Sequence, residues 1–94
     1  MKKKIVYMNA GYIYLRILLP LKEFELLFLF ATNCEQVFTR DHLLEKIWGL
    51  DYEGTERTVD MHIRKIRKSL ESLAIPIEIQ TLRNIGYRLG ERHE

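Results

Sequence analysis

The spacing of apolar residues predicts two short strands followed by a buried helix. Residues 4–19 are rich in Ile, Val, Tyr and Leu, and Asn9-Ala10-Gly11 interrupts them, which favours two strands joined by a turn. Pro20 breaks the strand pattern and suits a helix start. From about 21 to 32, strong helix formers place apolar side chains on almost every side, which is typical of a central buried helix. Within it, one shared face is expected to comprise Leu21, Phe24, Leu27 and Phe28.

A second, shorter helix is predicted from about 40 to 48. Thr39 is a good N-cap residue, and Gly49 can end the helix. The apolar stripe of this helix is narrow and comprises Leu43, Leu44, Ile47 and Trp48. The next segment, residues 50–56, contains a glycine and three acidic residues, which predicts an exposed loop.

The third helix is the most strongly patterned and is predicted from about 56 to 73. Its apolar residues recur at steps of three and four and fall within an arc of about 80° on a helical wheel. They are Val59, Ile63, Ile66, Leu70 and Leu73. Pro76 prevents the helix from continuing.

The C-terminal region predicts a β-hairpin from about 77 to 89. Apolar and polar residues alternate from Ile77 to Leu82, and Asn84 and Gly86 can supply the positive φ angles of a turn. Strands, three helices and a hairpin together predict one α+β domain over residues 1–94. This layout is that of a winged helix-turn-helix, with a short N-terminal β-sheet and a C-terminal hairpin as the wing.

Positive charge is concentrated on the third helix. Residues 57–68 hold five basic residues against one acid, Asp60, although the net charge of the chain is only +2. The basic side chains lie opposite the apolar stripe, and a helix about 10–12 Å across fits the major groove of DNA. A solvated amphipathic helix with surplus charge explains this pattern equally well.

The hairpin shifts the balance toward nucleic acid. Arg83 lies at its tip, followed by Tyr87 and Arg88. A rigid hairpin with Arg at the apex can reach a minor groove or phosphates. An ordinary polar turn is the alternative for the hairpin alone.

Four segments resemble the DNA-binding effector domain of OmpR/PhoB-type response regulators. They are residues 19–27 (LPLKEFELL), 37–44 (VFTRDHLL), 57–68 (RTVDMHIRKIRK) and 80–88 (QTLRNIGYR), with Trp48-Gly49 between the second and third. The resemblance covers roughly residues 17–90. The third and fourth segments are highly specific as a pair.

The resemblance implies roles for individual residues. Recognition-helix positions in the major groove are matched by Arg57, Thr58, Met61, Arg64, Lys65, Arg67 and Lys68. Positions that hold the DNA backbone are matched by Arg40, Trp48 and Tyr87. Wing positions are matched by Thr81, Arg83 and Arg88, with Arg83 reaching the minor groove.

The resemblance also implies partners. The expected ligand is duplex DNA with tandem direct-repeat half-sites, bound as a head-to-tail dimer that forms on DNA. The loop that contains Leu50, Asp51, Tyr52 and Glu53 resembles the loop that faces RNA polymerase in activators of this family. The implied function is transcriptional regulation in a bacterial two-component phosphorelay.

The sequence departs from the family pattern in four places. Pro20 replaces a usual Thr or Ser and removes a side-chain N-cap, and Met61 replaces a usual β-branched residue. Asn84 replaces a usual glycine at the wing tip, where it tolerates the left-handed conformation. The N-terminal segment supplies only two or three strands of a usual four. No segment resembles the receiver domain, so the chain is expected to be either the effector part of a longer regulator or a free-standing domain.

Other classes of function have little support in the sequence. A single cysteine, Cys34, cannot form an intramolecular disulfide, and the longest apolar run, residues 26–31, is too short to cross a membrane. The three histidines lack metal-ligand spacing, and no catalytic motif or phosphate-binding loop is present. We therefore expect a cytoplasmic protein that is not an enzyme and has no metal or cofactor.

Two alternatives to DNA binding stay open. A winged helix can serve as a protein-interaction module that contacts RNA polymerase or an acidic partner. Binding to structured RNA is less favoured, because the deep and narrow major groove of RNA does not admit a helix readily.

Overall fold

The computed structural model describes residues 3–10, 13–73 and 75–92 and shows a winged helix. The chain begins with β1 (Lys3–Ala10) and β2 (Ile13–Pro20), which form an antiparallel two-stranded sheet. The helices are α1 (Leu21–Thr32), α2 (Arg40–Trp48) and α3 (Arg57–Ser72). A second sheet is built from β3 (Phe38–Thr39), β4 (Ile77–Leu82) and β5 (Gly86–Glu91). The expected α+β class is confirmed, while Gly11 of the predicted first turn lies outside the described residues.

The helix ends follow from local chemistry. The Thr39 hydroxyl accepts a hydrogen bond from the His42 backbone N–H at 3.1 Å, so the predicted N-cap of α2 is confirmed. Gly49 follows α2 with φ of 97°, a conformation that favours glycine. Pro20 precedes α1 without a side-chain cap, as its replacement of Thr or Ser implies.

One core joins the three helices to the second sheet. Phe30 of α1 and Phe38 of β3 meet edge to face with ring centroids 5.7 Å apart. The buried apolar side chains are Leu19, Leu26, Leu27, Phe30, Phe38, Leu43, Val59, Ile63, Ile66, Leu70, Ile75, Ile77, Ile79, Tyr87 and Leu89. The stripe of α3 therefore packs inward and leaves its opposite face in solvent.

Two predicted apolar faces are buried only in part. Leu21 and Phe28 are exposed, Phe28 by 54%, because α1 buries the face that carries Leu26, Leu27 and Phe30. With apolar residues on most sides of α1, periodicity could not select the inward face. Leu73 is also exposed, because α3 ends at Ser72 and Ile75 fills the core at this end.

The second sheet contains a strand that the alternation pattern did not predict. β3 has only two residues, and Phe38 and Thr39 pair antiparallel with Tyr87 and Gly86 of β5. The strand order is β3-β5-β4, so β5 lies in the middle. Within the described ranges, no helix has the length and apolar character needed to span a membrane.

Gly86 is required by close approach rather than by a positive φ. A Cβ atom at this position would lie 1.9 Å from the Phe38 carbonyl oxygen. Among the described glycines, a positive φ occurs at Gly49, so the expectation of one at Gly86 was wrong. Only a residue without a side chain lets β5 run this close to β3.

We predict that Gly86→Ala lowers the free energy of unfolding by about 2–3 kcal/mol, because the new methyl group collides with backbone. Gly90→Ala is the matched control on the same strand, since its Cβ would meet the ends of the flexible Gln80 and Glu35 side chains at 2.9 and 3.1 Å. We expect this control to cost under about 1 kcal/mol. Urea denaturation measures both, and equal losses would contradict the assignment.

Candidate nucleic-acid interface

The outward face of α3 is cationic and open to solvent. Arg57, Arg64, Lys65 and Lys68 are all exposed, and Met61 lies among them with 45% of its surface exposed. The same helix buries Val59, Ile63, Ile66 and Leu70 on its other side. A rigid helix with one packed face and one basic face can enter a groove of DNA without rearranging the core.

Arg67 is turned toward the protein. Its Nε donates to the Ile79 carbonyl oxygen at 2.9 Å, and its Nη2 donates to Thr81 Oγ1 at 2.6 Å. The guanidinium also lies 5.5 Å from the centroid of the Tyr87 ring. Two residues expected to contact DNA, Arg67 and Thr81, therefore bind each other and tie α3 to β4.

Asp60 joins three elements. Both of its carboxylate oxygens accept from Arg40 at the start of α2, from Nε at 3.0 Å and from Nη2 at 2.5 Å. Its Oδ1 also accepts from the Tyr87 hydroxyl of β5 at 2.6 Å. A planar guanidinium matches a carboxylate in this two-bond geometry, so the contact fixes direction as well as distance.

The Asp60 network shifts the proton affinities of its members. Partial burial favours a higher pKa for Asp60, but the hydrogen bonds from Arg40 and Tyr87 and the nearby Arg64 charge outweigh it and lower the pKa below its usual value. Burial and the bond to Asp60 raise the pKa of Tyr87 to about 12. The hydrogen bond to Asp60 also raises the pKa of Arg40. At neutral pH the Asp60 carboxyl is therefore ionised, the Tyr87 hydroxyl keeps its proton and the Arg40 guanidinium is charged.

A second acid borders Arg40. This acid is Glu56, whose Oε2 lies 2.9 Å from Nη1 of Arg40. A hydrogen bond with Asp41 raises the pKa of Glu56 above its usual value. Arg40 and Tyr87, both expected at the DNA backbone, are thus placed together but are bound to acidic groups of the protein itself.

The wing tip is a tight and exposed turn. Asn84 has φ of 65°, so the expected left-handed conformation at this position is confirmed. The Ile85 N–H donates to the Leu82 carbonyl oxygen at 2.9 Å and closes the turn. Arg83 is exposed at this tip. A cleft of about 700 Å³ separates the turn from the start of α2 and is bordered by Arg40, Asp60, Arg83 and Tyr87.

Arg88 lies apart from the other site residues. Its Nε donates to Gln80 Oε1 at 2.7 Å, across the strand pair that also joins these two residues. Thr81 and Tyr87 are the neighbouring pair, and successive residues of a strand face opposite sides. Arg88 is therefore on the side of the wing that faces away from Arg67 and α3.

Trp48 belongs to an aromatic cluster between α2 and α3. The Trp48 and His62 rings meet edge to face, with their centroids 4.9 Å apart. The centroid of the Tyr52 ring lies 6.1 Å from that of Trp48. His62 Nδ1 is 2.8 Å from the carbonyl oxygen of Thr58, one turn earlier on the same helix. The cluster fixes the start of α3 against the end of α2.

The loop between α2 and α3 is exposed from residue 49 to residue 55. Leu50 has 82% of its surface exposed, and Asp51 and Glu53 are exposed beside it. Tyr52 folds back over Gly54, where a Cβ would lie 2.0 Å from the tyrosine ring. The Tyr52 hydroxyl lies 3.4 Å from Thr58 Oγ1, so the loop is anchored to the first turn of α3.

Asp60 is the residue that sequence reasoning missed. Its charge was counted against the basic segment, although it binds two residues expected at the site. The available signal was an acid in the first turn of a basic helix. Its partners are 20 and 27 residues away in the chain, so spacing could not identify them.

Comparison with known proteins decides the family. A family model described as "Transcriptional regulatory protein, C terminal" matches residues 15–89. The chain belongs to this family. The resemblance to OmpR/PhoB-type effector domains drawn from the sequence is therefore confirmed.

The relatives of this effector domain are response regulators. It is 58% identical over 73 residues to the heme response regulator HssR of Staphylococcus saprophyticus, an alignment that covers 78% of this chain. The chain spans about a third of the length of that relative, with 33% covered.

Solved structures agree with this assignment. The response regulator AdeR DNA-binding domain, in complex with an intercistronic region, has a TM-score of 0.76 and 31% identity, with 93% of this chain and 86% of that chain covered. The Thermotoga maritima OmpR/PhoB homolog DrrB has a TM-score of 0.73 and 33% identity, with 89% and 44% covered.

We predict that Arg67→Ala lowers the free energy of unfolding by about 1–3 kcal/mol, because it removes two hydrogen bonds and the contact with the Tyr87 ring. Arg64→Ala is the matched control, an exposed arginine on the same helix, and should change stability by less than about 0.5 kcal/mol. Chemical denaturation compares them. Equal stability of the two variants would show that Arg67 does not hold the wing.

We also predict that the free energy of unfolding of Asp60→Asn falls less steeply at acid pH than that of wild type. Because the folded-state pKa of Asp60 is lowered, its contribution is present above the unfolded value of about 3.9 and is lost as pH falls through the folded value. From about pH 5 downward, wild type should lose more unfolding free energy than Asp60→Asn. Urea denaturation at a series of pH values tests this, with Tyr87→Phe expected between the two. Parallel curves would contradict the prediction.

Proposed function

We propose that this domain binds duplex DNA sequence-specifically and regulates transcription as the effector part of a two-component response regulator. The observation that carries the proposal is the exposed basic face of α3 beside an exposed arginine at the wing tip. Arg67 and Asp60 hold these two elements together. The similarity to AdeR, whose DNA-binding domain is solved on an intercistronic region, supports the same ligand here.

In this proposal α3 lies in the major groove. Arg57, Arg64, Lys65 and Lys68 are free to reach base edges and phosphates, and Met61 can contact a thymine methyl group. Thr58 is half-buried at the start of α3 and, in this arrangement, faces the sugar-phosphate backbone of the DNA at the edge of the groove. Arg67 contributes by positioning the wing rather than by reading a base.

The wing and α2 complete the contact. Arg83 extends into the adjacent minor groove, where Arg is favoured by the negative potential. Arg40, Trp48 and Tyr87 lie where a phosphate backbone would cross, with Arg40 and Tyr87 bordering one cleft. Thr81 supports the wing through Arg67, and Arg88 serves a more distant phosphate, because it lies on the other side of the hairpin.

The partners follow from the same assignment. We propose tandem direct-repeat half-sites bound by a head-to-tail dimer that forms on DNA, and contact between the loop at Leu50–Glu53 and RNA polymerase. Leu50 and Tyr52 are both exposed in this loop, and neighbouring exposed apolar side chains support a protein partner. Similarity to a heme response regulator supports a role of the whole regulator in a heme response, which is checked by whether heme changes transcription from promoters carrying the selected site.

The test is selection of binding sites from a randomised duplex library by the purified chain. We expect enrichment of a direct repeat and an affinity that falls steeply with salt, because phosphate contacts release counterions. Arg64→Ala should weaken binding to the selected site by about 1–3 kcal/mol and relax one base position. Lys68→Ala should weaken all duplexes similarly and reduce the salt slope by about 1.

Arg92→Ala is the matched charge control. Arg92 lies at the base of the hairpin with its Nε 3.8 Å from Glu78, so its loss should leave discrimination between duplexes unchanged. No enriched motif, together with equal binding of all duplexes by wild type and Arg64→Ala, would contradict the proposal. That result would favour the protein-interaction module, in which the basic helix meets an acidic partner.

A further inference from the structure

Within the described part of the chain, the Asp60 carboxylate links α2, α3 and the wing. Arg40 approaches it with two N–H donors from the first residue of α2, and Tyr87 approaches it from β5. Arg67 makes a separate link lower on α3, to Ile79 and Thr81 of β4. The wing is therefore bonded to α3 at two positions, Asp60 and Arg67, and of these two links the one at Asp60 also includes α2.

The position of this carboxylate is electrostatically unfavourable for DNA binding. Asp60 is the one acid among residues 57–68, and it lies one turn before the exposed Arg64. A negative charge here lowers the attraction to phosphates, which supplies essentially all of the nonspecific affinity. An acid in this place weakens DNA binding in general. Its presence in the recognition helix is therefore explained only if its hydrogen bonds serve a separate purpose.

We propose that Asp60 is a positioning residue that sets discrimination between DNA sequences. By fixing Arg40 and Tyr87 against the first turn of α3, it sets the spacing between the helix in the major groove and the wing in the minor groove. When the distance between α3 and the wing is fixed, the domain fits one geometry of adjacent DNA grooves, whereas a variable distance lets it fit many. This inference rests on the proposed function and adds to it.

The proposal has an unusual signature because charge and geometry act in opposite directions. Removing the charge alone strengthens binding to every duplex. Removing a purely structural residue weakens binding to every duplex in proportion to the fraction unfolded. Only a positioning role weakens the selected site while leaving nonspecific binding equal or stronger.

The experiment measures Kd for the selected duplex and for a scrambled duplex of the same length, at fixed salt and at a temperature where each variant is folded. For Asp60→Asn we expect unchanged or tighter binding to the scrambled duplex and at least tenfold loss of the ratio between the two Kd values. Glu71→Gln is the matched control, since it removes the same charge from an exposed position on the same helix. It should keep the ratio of wild type.

Two further variants separate geometry from charge and from folding. Asp60→Glu keeps the charge but moves the carboxylate by one methylene, so it should also lower the ratio, and it replaces Asp60→Asn if that variant does not fold. Asp60→Asn/Tyr87→Phe should lose little more discrimination than Asp60→Asn, because both changes break one link.

Each remaining outcome overturns a stated claim. Equal gains in affinity for both duplexes, or an unchanged ratio in Asp60→Asn and Asp60→Glu, would overturn the positioning role. A wild-type chain that does not distinguish the two duplexes would overturn the proposed function and this inference with it.

Discussion

The approach of β5 to β3 at Gly86 is the constraint on which the surface shared by α3 and the wing depends. Because a Cβ here would lie 1.9 Å from the Phe38 carbonyl oxygen, the two backbones can pair only with glycine at this position. The next residue, Tyr87, then enters the core, with its ring beneath Arg67 and its hydroxyl on Asp60. One backbone contact thus places the wing, and two polar links fix its direction.

The fold was predictable from sequence wherever the determinants are local. Periodicity identified the three helices, and Thr39 and Asn84 were recognised from their side-chain chemistry, because capping and turn formation involve neighbours in the chain. The two-residue β3 was missed, since it has no alternation and forms by pairing with a strand almost fifty residues away. The inward face of α1 was predicted only in part for a related reason, because only tertiary packing distinguishes among several apolar sides.

For the candidate site, the exposure of most residues was predictable from the sequence, and their contacts were less so. Exposure of Arg57, Arg64, Lys65 and Lys68 follows from a helical wheel. The turning of Arg67 toward Ile79 and Thr81 does not, because an arginine at the border of the apolar face can bind either solvent or protein. The structure therefore divides a uniform basic segment into side chains that face outward and one that holds the wing.

The strand order β3-β5-β4 has a consequence for how the domain is made. Among the described strands, β5 comes last in the sequence and lies in the middle of its sheet, so β3 and β4 cannot pair in that sheet until β5 is available. During synthesis the three helices leave the ribosome before β5, and the second sheet closes only after residue 91 has emerged. The surface that needs Tyr87 is therefore the last part to form, and a nascent chain that is cut short carries a basic helix without its wing.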